Sequence, residues 1–438
     1  MEEPPINQDE INSELTGLNK GEKAQKKKMI SYGIAIGVSI IVLIAIIIII
    51  VVKTNSKNSS NKTEIGEFIC TFLIQNINKN TRILGNEFKQ SDFDIYIDDK
   101  KIKYSKEYEF KSIGTHIVKI KLFNDLNMDY MFKDVQDLTH IELKSEKNCK
   151  IISMISTFEN CKNLENFNLI GFYAQNLKSM KKLFYKSALK IFFFSSFNTI
   201  NLEDISYMFA STNIEEFSLS SINTEKVIDM SHLLDGCASL LSINSSSLKT
   251  NNVKDMSYMF RGCSSVNDLD LSSFDTKNVE NMSYMFQDCI SLINLNIKDF
   301  DTKKVKDMSF MFNKCLYLES LDLSKFVTTN LKNMSYTFSY LLALTSLDIS
   351  NFDTKNVEST SGLFAFSRKL TEIDISKLDL TNNKDMSKMF YNCNSLNKIN
   401  FGDIKTGNVQ SMMSLFDECS SLSSIDVSKF ETKNVEDM

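Results

Sequence analysis

Between residues 128 and 438 the apolar and polar positions recur with a fixed step. Met-Ser-Tyr-Met-Phe at 256–260 returns at 282–286, then as Met308-Ser-Phe-Met-Phe312 and Met334-Ser-Tyr-Thr-Phe338. The register continues through Thr360, Met386, Met412 and Met438, and runs backwards through Met230, Ile205, Met180, Met154 and Met128. The step is 26 residues except for two of 25, so about twelve units follow one another. A constant period of this size is the signature of a solenoid, in which each unit buries its apolar face only by stacking on its neighbours.

Within a unit, apolar residues two apart predict a short strand. Leu269-Asp270-Leu271 points its first and third residues inward and its middle one outward. Phe274, Phe300, Phe326 and Phe352 turn inward after it. The next apolar group, Met282, Met285 and Phe286, has i, i+3, i+4 spacing and predicts one or two turns of helix. Asp255, Asn281, Asp307 and Asn333 precede that turn and supply capping oxygens. The expected fold is therefore an α/β solenoid of leucine-rich-repeat type, each coil holding one strand and one helical turn. Thr250, Thr276, Thr302, Thr328 and Thr354 form a polar ladder, with Asn252, Asn278, Asn330, Asn356, Asn408 and Asn434 two residues further on. Their expected role is to bond backbone groups of adjacent coils. Seven of the nine cysteines share one slot: Cys161, Cys237, Cys263, Cys289, Cys315, Cys393 and Cys419. Free buried thiols are the leading reading there. Disulfides between neighbouring coils compete in an oxidising compartment, and metal binding trails because no C-x-x-C occurs.

Residues 65–127 fall outside the register. Phe93-Asp-Ile-Tyr-Ile97 and His116-Ile-Val-Lys-Ile-Lys-Leu122 alternate as strands do, so a small β-rich module capping the solenoid is expected. At the other end, Met438 falls on the anchor position of a thirteenth unit, and the pattern predicts that the gene product continues beyond it.

Met29 to Val52 is uncharged and includes the run Ile46–Ile50. As a helix it would extend about 36 Å, enough for a hydrocarbon core of about 30 Å. It reads as an uncleaved signal-anchor after a tail of residues 1–28, with a polar linker at 53–64. Lys20, Lys23, Lys26, Lys27 and Lys28 precede it, and Lys53, Lys57 and Lys62 follow. The excess predicts a cytosolic N-terminus and a type II, single-pass protein with its repeats extracellular or lumenal. Glycosylation sequons at Asn58, Asn61, Asn244, Asn281 and Asn333 all lie on that far side.

Composition narrows the function. With 50 Lys+Arg against 55 Asp+Glu the chain lacks the basic excess of a nucleic-acid binder. Three histidines, no G-x-S-x-G, no phosphate-binding glycine loop and no H-E-x-x-H argue against an enzyme, although a Ser-His-Asp site is recognised by geometry alone. No cofactor is expected. Recognition belongs on the outward strand positions, where Asp270, Asp322, Asp348, Asp374 and Asp426 recur. That row is either a solvated face or a site for a basic partner or weakly held Ca²⁺. In the third coil Ile191 and Phe193 occupy outward positions, as a contact anchor, or covered by the β module, or displaced by a register shift; the second and third are slightly favoured.

The unit D-M-S-Y-M-F-x-x-C-x-S-L-x-x-L-D-L-S-x-F-D-T-x-N-V, with its blocks at 282–286 and 274–279, resembles the BspA-like leucine-rich-repeat surface proteins, a type also found in mycoplasma lipoproteins. Thr81-Arg-Ile-Leu-Gly85 and Gly114-Thr-His-Ile-Val118 are similar to the module ahead of such repeats. The resemblance implies surface exposure, adhesion or host-matrix binding, and no enzymatic activity. The leading expectation is a membrane-anchored protein whose solenoid binds another protein or a glycan. A self-associating coat component is the alternative, and a signalling receptor ranks third.

Overall fold

The computed structural model describes residues 63–77, 79–145, 149–195 and 197–438. Thr63–Met438 forms one compact unit. Its first part is a β module of alternating strands. Gly66–Ile74 pairs antiparallel with Gly114–Leu122, which pairs antiparallel with Phe93–Ile97, which ends the sheet against Lys100–Ile102. On its other edge, Gly66–Ile74 pairs antiparallel with Leu138–Lys144, the strand of the first coil. Asn166–Ile170 and Ile191–Ser195 extend the same sheet in parallel, giving seven strands in all. The module thus covers the first coil by continuing its hydrogen-bond ladder. Its inner residues Phe68, Cys70 and Phe72 join the core of the coils.

The helical turn expected in each coil is absent, which corrects the fold class from α/β to β-solenoid. Among the described residues there is no α-helix, and the sole helical element is a 3₁₀ turn at Ser245–Ser247. The segment 282–289 shows why. Met285, Gln287 and Cys289 donate their N–H groups three residues back, to Met282, Tyr284 and Phe286. Met282, Tyr284, Phe286 and Asp288 send theirs along the axis to Asp307, Ser309, Met311 and Asn313 of the next coil, at 2.8–3.0 Å. An α-helix would spend every interior N–H inside itself and leave this flank without axial bonds. Alternating tight turns keep Met282, Met285 and Phe286 buried and still bond coil to coil. The path needs two left-handed residues per coil, four apart, here Tyr284 at φ 60° and Asp288 at φ 58°. The acidic or amide residue before each turn serves it as expected, but as an Asx turn: Asp255 accepts the Ser257 amide at 2.8 Å and Asn281 that of Ser283 at 3.0 Å.

Side chains close the corners. Thr302 Oγ donates to the Val327 carbonyl at 3.0 Å and accepts the Val327 amide at 2.8 Å, one coil ahead. Asn278 Nδ2 donates one coil back, to the Asn251 carbonyl at 2.8 Å. Cys289 Sγ also reaches back, donating to the Phe260 carbonyl at 3.1 Å.

The expected spanning segment 29–52, its tail and the linker up to residue 62 lie outside the described residues. A crossing helix takes about 20 apolar residues in succession. Among the described residues no helix is long and apolar enough to cross a membrane. The single-pass, type II localisation is corrected accordingly and is not carried forward.

Two substitutions test the ladders. Thr302→Val keeps the shape but strips both partners from the half-buried amide and carbonyl of Val327, and should cost about 1–2 kcal/mol, water partly replacing the lost bonds. The threonine slot is already broken at Ala174 and Leu380, and beside the latter Asn383 takes a slot filled elsewhere by Val357 and Val409. Asn383 is fully buried, with neither amide atom bonded. Asn383→Val should therefore raise the denaturation midpoint, by about 1–2 kcal/mol in stability.

Candidate binding face

The outward strand positions carry the residues singled out in the sequence. In Ile191–Ser195 the alternation holds: Phe194 is buried, Phe192 packs against the core, and Ile191 and Phe193 are each 53% exposed. Neither is covered by the β module, because Gly66–Ile74 lies two strands away beyond Asn166–Ile170 and Leu138–Lys144. Nor has the register slipped, since Ile191 pairs with Asn166 and Phe193 with Asn168. Their neighbours in the same rows are polar, His140 and Glu142 on the first coil.

Asp270, Asp322, Asp348, Asp374 and Asp426 are all exposed on this face. Each also closes a turn, accepting the amide of the serine two residues on at 2.9–3.0 Å. Hydrogen bonds from that serine hold all five carboxyls below the usual range. Asn296 and Asn400 fill gaps in the row and donate back to Asp270 and Asp374, both at 2.9 Å. One oxygen of each carboxylate is thus committed to the fold. Among the described residues no three His, Cys, Asp or Glu side chains converge as a metal site.

The cysteine slot is built for neutral thiols. All nine cysteines are free, and the seven in the ladder donate to carbonyls of the preceding coil at 2.9–3.3 Å. Burial pushes the Cys237 thiol up to about 11 and the Cys393 thiol to about 12. Of the sequons, Asn244 is exposed, whereas Asn281 and Asn333 are half-buried and hold Asx turns. Asn58 and Asn61 lie outside the described residues.

Two features escaped the sequence reading. The first is an aromatic ladder at the middle residue of the Met-Ser-x-Met-Phe block, a signal that the recurring tyrosines did carry. Tyr207, His232, Tyr258, Tyr284, Phe310 and Tyr336 stack with centroids 4.0, 4.2, 4.4, 4.6 and 4.8 Å apart and planes within 11°. Their faces cover one another, leaving the ring edges outward. The second is a Ser-His-Asp constellation in the β module. His116 Nδ1 lies 2.6 Å from Asp98 Oδ2, and Nε2 lies 3.3 Å from Ser112 Oγ. Nε2 is nearer, at 3.0 Å, to the Ser112 carbonyl, which can only accept. The nitrogen that a general base would use therefore carries a proton, and the group ties the 98–99 turn to the loop before Gly114–Leu122. Burial disfavours the charged ring, but the bonds to Asp98 and Ser112 outweigh it and raise the His116 pKa.

A group whose pKa is raised on folding stabilises fully below its unfolded value, about 6.5, and less as pH climbs through the folded one. Comparing the unfolding midpoints of wild type and His116→Gln should show an advantage for wild type at pH 5.5 that shrinks by pH 8.5. A constant difference would remove the charged tie.

A solved leucine-rich-repeat protein of Leptospira interrogans is similar over 61% of this chain and 70% of its own, at 14% identity and a TM-score of 0.23. No curated protein matches. A family model described as "Mycoplasma protein of unknown function, DUF285" matches residues 126–242, 203–320, 264–371, 290–400 and 366–438. With those overlapping matches running unbroken from 126 to 438, the chain belongs to the DUF285 family of repeat proteins.

Proposed function

We propose that this protein works by recognition and not by catalysis, its solenoid binding another protein through the outward strand face. The reading rests on one observation: Ile191 and Phe193, each 53% exposed, stand side by side on a face that is otherwise polar. An exposed aromatic with an aliphatic neighbour is the usual centre of a protein contact, because it gains the most on desolvation. The carboxylates of Asp270, Asp322, Asp348, Asp374 and Asp426 extend the face and would set orientation and on-rate more than affinity. The resemblance to BspA-like surface proteins favours adhesion to matrix proteins as the biological setting. Catalysis has little support, since the constellation nearest to a triad has its base nitrogen already occupied.

Surface plasmon resonance of the full chain against a panel of matrix glycoproteins tests the proposal. Phe193→Ser should weaken binding at least tenfold without shifting the thermal midpoint, as expected for an anchor worth about 2 kcal/mol. Equal binding by the variant would refute the strand-face site. If sedimentation shows only self-association, and Phe193→Ser abolishes it, the coat reading replaces adhesion.

A further inference from the structure

The strand pattern of the repeat is broken at one place that the strand-face reading does not use. In most coils the second inward strand residue is large and apolar: Leu219, Leu271, Ile297, Leu323, Ile349 and Ile375 are all buried. In the fifth coil it is Ser245, which begins the 3₁₀ turn Ser245–Ser247. Without a side chain to anchor it inward, the chain here turns early. Glu216–Phe217 pairs with Ser242–Ile243 over two residues, one fewer than Asp268–Asp270 with Asn294–Asn296 or Glu372–Asp374 with Lys398–Asn400. Beyond the strand ends, a cavity of about 640 Å³ opens across the third, fourth and fifth coils.

Phe197 and Ile222, both buried in the row that Phe274 and Phe300 continue, close it from beneath, and hydroxyl and amide groups of Ser220, Ser221, Asn223 and Ser246 contribute to its walls. The single carboxylate, Glu225, is matched by the single ammonium, Lys249, so the lining carries no net charge. The position of Ser221 is serine again at Ser247 and Ser273 and becomes charged only further along, as Asp299 and Lys325, which pair across coils at 2.8 Å.

We infer that this notch binds a neutral oligosaccharide. A sugar ring offers hydroxyls that both donate and accept, matching the serine hydroxyls and asparagine amides of the walls. A phosphate or sulfate would need a cationic excess that the notch lacks. The site lies beyond the strand ends, so it is independent of Ile191 and Phe193.

The test applies the full chain to a microarray of neutral, sialylated and sulfated oligosaccharides. The wild type binds a subset of the neutral ones. Ser221→Trp, which fills the opening from an exposed position, and Ser245→Leu, which restores the repeat residue, each lose at least tenfold. Ser245→Leu keeps or raises the thermal midpoint, which separates loss of the site from loss of folding, and Phe193→Ser binds the sugars as wild type does. Absence of neutral-glycan binding by the wild type, binding to anionic glycans alone, or full binding by both notch variants would each overturn the assignment.

Discussion

Every coil of this molecule must hand its backbone hydrogen bonds to the next, and that requirement governs the rest. The interior is too narrow for a chain that satisfies itself, so amides along both flanks point along the axis. Any coil that strays from the common path orphans groups on two neighbours at once. The corner side chains answer to the same demand. Thr276 bonds forward to the Asp301 carbonyl, Asn278 backward to that of Asn251, and Cys289 backward to that of Phe260. Three different residue types recur because the corners differ in what they leave unpaired: a carbonyl and an amide at the threonine, a single carbonyl at the asparagine and at the cysteine.

The aromatic ladder follows from this stacking. A left-handed residue with a side chain costs about 1–2 kcal/mol. Placing an aromatic there recovers part of that cost, because the coil spacing of about 4.8 Å is also a good distance between parallel rings. The ladder has defined ends. At one, Lys182 sits 5.5 Å from the Tyr207 ring centre. At the other, Gly362 takes the left-handed position, and a Cβ there would lie 2.2 Å from the Tyr336 ring. Glycine at this site meets both the backbone angle and the ring lying over it.

Much of this was legible in the chain, and the misreading has a clear cause. The period, the inward and outward strand positions and the threonine, asparagine and cysteine slots are local patterns repeated many times. Alternation offered the outward placement of Ile191 and Phe193, but cover by the β module or a shifted register was slightly favoured, and the strand order and pairing exclude both. The helical turn failed because i, i+3, i+4 spacing specifies which side chains share a face, and a helix and a run of tight turns both meet it. What separates them is where Tyr284 and Phe286 send their N–H groups, a partner 25 residues away that no local window contains. The tie of His116 to Asp98 and Ser112 was hidden for the same reason, since the sheet brings its turn and loop together. The membrane span was read from apolar length alone, and among the described residues no helix is long and apolar enough to cross a membrane.

In such a molecule the departures from the repeat differ in meaning according to where they face. Asn383 breaks the pattern inside the core, where an unbonded amide lowers stability and presents nothing to the outside. Ser245 breaks it where the strand meets solvent; the missing leucine costs burial, but the chain around it turns outward with its polar groups accessible. Ile191 and Phe193 break it on the outer face, where the stacking requirement has nothing to say about side-chain type. Interior positions answer to both neighbours in packing and hydrogen bonding, whereas outer ones keep only cross-coil bonds such as that of Asn296 to Asp270, so side-chain type is freer on the outside. The third to fifth coils hold both outer departures.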